Sequence, residues 1–137
     1  MKILFLHCDS FSYKVTEETP IAEPNPPHRS GEFKDVVAAL TCVEQKDEQR
    51  KDSVKQSFAQ ELATFCDRIK CKKVVLYPYA HLSRSLSKPA FAKDLLQDLE
   101  VELAAQGFEV HRSPFGWYKE FKIECKGHPL SEAFRDV

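Results

Sequence analysis

Lys72-Lys73-Val74-Val75-Leu76-Tyr77 is a short apolar run behind two lysines, of the kind a strand buried on both faces requires. Working outward from it, two helical patterns flank the run. Upstream, Val54, Phe58, Leu62, Phe65 and Ile69 recur at spacings of four, four, three and four, making one apolar stripe, with Ser53 placed to cap a helix from Val54 to about Lys70. Downstream, Pro89 suits the first turn of a helix that buries Phe91, Ala92, Leu95, Leu96, Leu99 and Leu103 and ends at Gly107. Strands are expected outside both helices, at Phe33–Val43 and Phe108–Arg112. A β-α-β-α-β unit of this kind calls for a parallel sheet with helices packed on it.

The two ends of the chain read as additions to that unit. Residues 2–8 (K-I-L-F-L-H-C) are nearly continuously apolar and read as a central strand, followed by a turn at Asp9-Ser10 and a second strand over 11–15, a hairpin. Residues 16–32 hold four of the eight prolines and read as an extended surface loop or flap. The charged run Glu44–Asp52 reads as a solvated connection, and residues 131–137 as a short helix. The fold class expected is α/β, a mixed sheet with two helices packed against it.

Length and composition narrow the function. At 137 residues the chain forms one domain, large enough to bury about two-thirds of its unfolded surface. A formal net charge of −1 argues against a surface coated in positive potential, although His111–His128 carries Arg112, Lys119, Lys122 and Lys126 against only Glu120 and Glu124. No segment approaches the roughly 20 apolar residues of a membrane helix, and the apolar start breaks too early for a signal peptide, so a cytoplasmic protein is expected. The five cysteines are odd in number and form no C-x-x-C, which favours reduced, structural thiols. Neither G-x-G-x-x-G nor a phosphate-binding P-loop occurs, and G-x-S-x-G and H-E-x-x-H are also missing.

Chemistry therefore has to come from convergent loops. In open α/β sheets ligands collect outside the carboxyl ends of the strands. There the loop Pro78-Tyr79-Ala80-His81 follows the central strand. The stretch Pro114-Phe115-Gly116-Trp117-Tyr118-Lys119 opens a strand whose inward set is Trp117, Lys119, Phe121, Ile123 and Cys125. Lys119 is the one charge in that set. It either reaches solvent from the strand's edge or is aimed into a site. His81 alone is weak evidence, as are His7, which reads as a satisfied core or edge residue, and His128, which reads as a turn residue. Phe115, Trp117 and Tyr118 read either as core or as a platform for a nucleobase.

Four separated motifs carry a resemblance: Y-P-Y-A-H-L-S at 77–83, K-P-A at 88–90, P-F-G-W-Y-K at 114–119 and K-G-H-P-L-S-E at 126–132. Together with the opening M-K-I-L-F-L-H-C-D, they resemble the N-terminal editing domain of archaeal threonyl-tRNA synthetases across the whole chain. The family often has tyrosine where Trp117 stands. The resemblance implies a D-aminoacyl-tRNA deacylase-like fold, with residues 1–137 as a single editing domain in the N-terminal part of a longer synthetase. It also implies hydrolysis of mischarged L-seryl-tRNA for threonine, assisted by the terminal ribose hydroxyl of the tRNA. On that resemblance Lys119 positions water and stabilises the transition state, and His81 hydrogen-bonds in the site facing it. Val43, Pro78, Ala80 and Phe115 shape the pocket, while Tyr118 and Glu132 hold the terminal adenosine or support Lys119. No metal or cofactor is implied for editing; ATP and zinc belong to the aminoacylation domain of a full-length synthetase. The partners implied are threonine tRNA and the remainder of the synthetase, with a homodimer common in the related folds and no membrane. A D-aminoacyl-tRNA deacylase and a non-catalytic tRNA-binding module are the alternatives.

Overall fold

The computed structural model describes residues 1–137. Its longest element is a strand the sequence divides in two. β1 runs from Lys2 to Glu18 without a break at Asp9-Ser10, so the expected hairpin there does not form. It pairs antiparallel with β2 (Ser30–Cys42) along its length, from Lys2 opposite Cys42 to Lys14 opposite Ser30. The turn residues are absorbed as an irregularity instead. Pairing skips Asp9, Asp35 takes a φ of +46° across from it, and Lys126 binds the Asp9 carboxylate at 2.6 Å. Two long ladders outweigh one local turn preference.

Between β2 and the first helix, the charged run is not a solvated connection. A single 3₁₀ segment, Gln45–Gln49, buries Glu44 and Asp47. The Asp47 carboxylate accepts from the Met1 α-amine at 2.9 Å, the Glu44 N–H at 2.8 Å and Arg50 at 2.8 Å. Buried carboxylates persist only when so partnered. Helix α1 then spans Lys51–Ile69, starting two residues before the expected Ser53 cap, and buries Val54, Phe58, Leu62, Phe65 and Cys66.

β3 (Lys73–Pro78), α2 (Pro89–Ala105) and β4 (Glu109–Arg112) follow in the expected order. β2, β3 and β4 pair in parallel, and Pro89 opens α2. The apolar stripes of α1 and α2 meet Ile3, Phe5, Val37, Ala39, Val74 and Leu76 in one core, while Phe11, Tyr13, Val36, Ala38, Val75 and Tyr77 bury the opposite face. β3 is thus covered on both faces, as its apolar run demands.

β5 (Trp117–Cys125) and β6 (Glu132–Asp136) share the remaining edge of β1, with β5 along Cys8–Glu18 and β6 along Lys2–Leu6. β6 replaces the short helix expected at 131–137. Where β5 ends, the edge of β1 from Lys2 to Leu6 would be left with unpaired backbone groups, and 132–136 pairs with it. The sheet order is β4-β3-β2-β1-β5, with β6 on β1 beside β5.

Candidate functional site

At the carboxyl ends of β2 and β3 the chain leaves a cavity of about 370 Å³. Its walls come from four segments remote in sequence. The end of β2 and the residue after it supply Thr41, Cys42 and Val43, β3 supplies Pro78, and the loop after β3 supplies Tyr79, Ala80, Leu86 and Ser87. Residues Phe115–Lys119 form a third wall, and Thr19 and Ile21 close the side. Val43, Pro78, Ala80, Phe115, Tyr118 and Lys119 therefore all meet there. Tyr118 stands at the mouth, 63% exposed.

Lys119 is held by local geometry. Pairing opposite Val15 on β1 turns its side chain inward. Its Nζ donates to the carbonyl oxygens of Pro114 at 2.7 Å and Trp117 at 3.1 Å, and lies 5.2 Å from the centre of the Tyr77 ring. Burial pushes its pKa down to about 8; the Glu23 carboxylate opposes that shift and Arg112 adds to it. The ammonium is therefore the main form at pH 7, in surroundings that solvate it poorly. Such a group can hold a water or an ester oxygen and stabilise developing negative charge.

His81 and Glu132 are not brought to Lys119. His81 sits exposed on the turn Ala80–Leu82, with its ring 5.2 Å from that of Tyr79, and faces a separate depression with Lys2, Glu44 and Arg84. Glu132 opens β6 and is exposed beside Thr64 and Arg68 of α1, in another depression.

Sequence reasoning missed the segment that completes the wall. The proline-rich stretch contains a strap with Glu23 and Pro26 buried. The Glu23 carboxylate accepts from both terminal nitrogens of Arg112, at 2.6 and 3.1 Å, and from the Phe115 N–H at 2.9 Å. Burial works against its charge, but Arg112 and the Phe115 N–H outweigh that and hold its carboxyl below the ordinary range. Arg112 was the available signal: an arginine ending a half-buried strand needs an acid.

A second polar cluster lies toward the other end of the sheet, where His7 Nε2, Asp35 Oδ1 and Cys71 Sγ fall within 4.8 Å of one another. These groups already serve each other. His7 Nε2 is 2.9 Å from Asp35, the Cys71 thiol donates to the Asp35 carbonyl at 3.3 Å, and the Lys126 ammonium lies 3.5 Å from the Asp35 carboxylate.

This chain is an α/β domain: a mixed sheet with two helices on one face and a cavity at the ends of its parallel strands. The solved structure of c-Myc DNA Unwinding Element Binding Protein superposes with a TM-score of 0.73 at 9% identity, covering 100% of this chain and 99% of that one, a likeness of fold alone. The family follows from sequence: residues 1–137 match the archaea-specific editing domain of threonyl-tRNA synthetase, and the chain belongs to that family. It is 39% identical over 137 residues to threonine–tRNA ligase of Methanopyrus kandleri and 44% identical over 138 residues to that of Methanobrevibacter smithii. The chain is covered completely in both, yet spans only 22% and 23% of those relatives' length. No helix is long and apolar enough to cross a membrane.

Proposed function

We propose that the domain hydrolyses the ester of L-seryl-tRNA for threonine, within a larger synthetase that supplies the aminoacylation chemistry. The observation that carries this reading is a desolvated Lys119 ammonium in the wall of a largely apolar cavity with an exposed tyrosine at its mouth. A synthetase for threonine meets serine, which keeps the hydroxyl and lacks one methyl. That difference is worth only about 1–3 kcal/mol in a binding pocket, so a second, hydrolytic sieve is needed.

In this reading the seryl ester enters past Tyr118, which stacks on the terminal base. The side walls Val43, Pro78, Ala80 and Phe115 enclose the seryl group. Lys119 is charged and cannot take a proton; it orients the attacking water and stabilises the oxyanion. The terminal ribose hydroxyl of the tRNA assists with the proton, consistent with Thr19, Thr41, Cys42 and Ser87 of the cavity each donating to a backbone carbonyl rather than pairing with a base. His81, exposed outside the cavity, contacts the incoming RNA end. No metal or cofactor takes part. A homodimer is included in the reading, supported by Phe121, Leu130 and Phe134, which are 40–53% exposed along β5, the turn after it and β6.

The deciding experiment incubates the domain with L-seryl-, L-threonyl- and D-aminoacyl-tRNA and measures amino-acid release. Selective loss of L-serine, abolished in Lys119→Met and weakened in His81→Ala, is the expected result, with kcat falling as pH rises through about 8. Release of D-amino acids alone, or no release, would replace this reading with a stereospecific deacylase or a binding module. Inhibition by EDTA that zinc restores would overturn the metal-free mechanism.

A further inference from the structure

The buried Glu23 is not among the residues that line the cavity and makes no hydrogen bond to Lys119, yet it is tied to the turn that holds Lys119. The two carbonyls that accept from the Lys119 ammonium belong to Pro114 and Trp117, the ends of a four-residue turn between β4 and β5. Of these residues only Trp117 lies in a ladder, opposite Glu18 of β1, and the strap fixes the rest. The Glu23 carboxylate accepts the Phe115 N–H at 2.9 Å, the Glu23 N–H donates to the Phe115 carbonyl at 2.9 Å, and the Trp117 indole N–H donates to the Glu23 carbonyl at 3.0 Å. The Thr19 hydroxyl donates to the Gly116 carbonyl in the same seam. Glu23 is anchored in turn by Arg112, whose Nε donates to Glu100 of α2 at 2.9 Å. The contacts run unbroken from α2 through Arg112 and Glu23 to the turn and then to Lys119.

We propose that Glu23 is a positioning residue of the Lys119 site, clamping the Pro114–Trp117 turn in the arrangement that presents two carbonyl oxygens to the ammonium. Its catalytic consequence rests on the deacylation reading; its effect on Lys119 does not. The charged groups acting on Lys119 are Glu23 from the strap and Arg112 from β4, and Tyr77 of β3 presents its ring. Glu23 opposes the effect of burial on Lys119, so the strap fixes the ammonium and also favours its charged form. A displacement of about 1 Å in such a constellation lowers a rate about 100-fold, which is the leverage available to a residue outside the cavity.

The test uses the 137-residue chain labelled with ¹⁵N-lysine, following the Lys119 ammonium by NMR across pH 6–10, with Lys119→Met to assign the signal. Glu23→Gln, still folded by circular dichroism, is expected to shift the Lys119 titration to lower pH. It should also lower kcat for seryl-tRNA by about 10- to 100-fold while KM changes less than about 3-fold. A role confined to stability moves neither the midpoint nor the ratio of kcat to KM in the folded fraction. A folded Glu23→Gln with an unmoved midpoint or wild-type kcat overturns the proposal. Should that variant fail to fold, Thr19→Val loosens the same seam without removing a charge. It is expected to lower kcat about 3- to 10-fold with the midpoint unmoved, and wild-type kcat there overturns the proposal. If wild-type chain releases no serine at all, the deacylation reading fails and the NMR midpoint of Glu23→Gln, or of Glu23→Asp should the amide not fold, decides the clamp alone.

Discussion

Lys119→Met should change how stability depends on pH, whatever it does to activity. Burial lowers the folded-state pKa of Lys119 to about 8, whereas a lysine in the unfolded chain titrates near about 10.4. Between those values the unfolded chain binds the proton and the folded chain does not, so this group adds stability as pH rises through that window. Below pH 8 both states hold the proton, and the folded state carries the full penalty of a poorly solvated ammonium. Raising the pH from 7 to 10 should therefore favour wild type over Lys119→Met by about 2 kcal/mol, the other titrating groups cancelling between the two proteins. At pH 7 itself the difference should be small. Met relieves a buried charge worth about 3 kcal/mol, but leaves the Pro114 and Trp117 carbonyls without their donor, at about 1–2 kcal/mol each. Urea unfolding of both proteins at pH 7, 8, 9 and 10 gives the difference directly. Parallel stability curves would refute the claim that Lys119 is desolvated in the fold.

Three further outcomes follow from single contacts. Gly116→Ala should destabilise the domain by about 2–4 kcal/mol in thermal or urea unfolding, because φ there is +75° and an added Cβ would lie 2.5 Å from the Ile21 carbonyl oxygen. Asp47→Asn should cost about 3 kcal/mol by the same measurement, since it leaves the buried Met1 amine and Arg50 facing a neutral amide. Iodoacetamide at pH 8 should modify Cys125 alone among the five cysteines of the native chain, and all five in denaturant, as counted by mass spectrometry. The other four thiols are buried, and burial pushes the pKa of Cys8 up to about 11 and of Cys66 to about 12.

The parts of the fold legible in sequence are those whose periodicity reports burial directly. The stripe of α1, the stripe of α2 behind Pro89 and the apolar run of β3 each bury what their spacing marks. The failures share one cause, which is long-range pairing. Asp9-Ser10 has turn chemistry, but ladders on both edges of β1 hold it extended; Ser131–Val137 has a helical composition, but lies where β1 has an open edge. Asp47 and Glu44 look solvated because their main partner, the Met1 amine, is more than forty residues away in sequence. At the site, the inward set of β5 singles out Lys119, since one charge among apolar neighbours is visible in a period of two. Glu23 is invisible by the same criterion, because a loop has no period and its partners lie 89 and 92 residues on.

The two polar clusters differ in a way that favours Lys119, and not the richer group around His7, as the candidate site. Around His7 every donor has an acceptor. The Leu130 N–H donates to His128 Nδ1 at 3.2 Å, which puts the neutral ring's proton on Nε2. That proton points at His7 Nδ1, 2.8 Å away, and the remaining His7 N–H donates to Asp35 at 2.9 Å. The chain of hydrogen bonds is closed at both ends, with Lys126 beside the terminal carboxylate. A substrate or metal entering there would have to break bonds already made, while the ladder between β1 and β2 resists the movement needed. Lys119 differs in kind. An ammonium has three donors, and the fold satisfies two, with Pro114 and Trp117. The third is left for whatever occupies an apolar cavity where water solvates it poorly. Unspent hydrogen-bonding capacity in a desolvated space, rather than the number of ionisable groups, is what makes the Lys119 end of this sheet the better candidate for the proposed reaction.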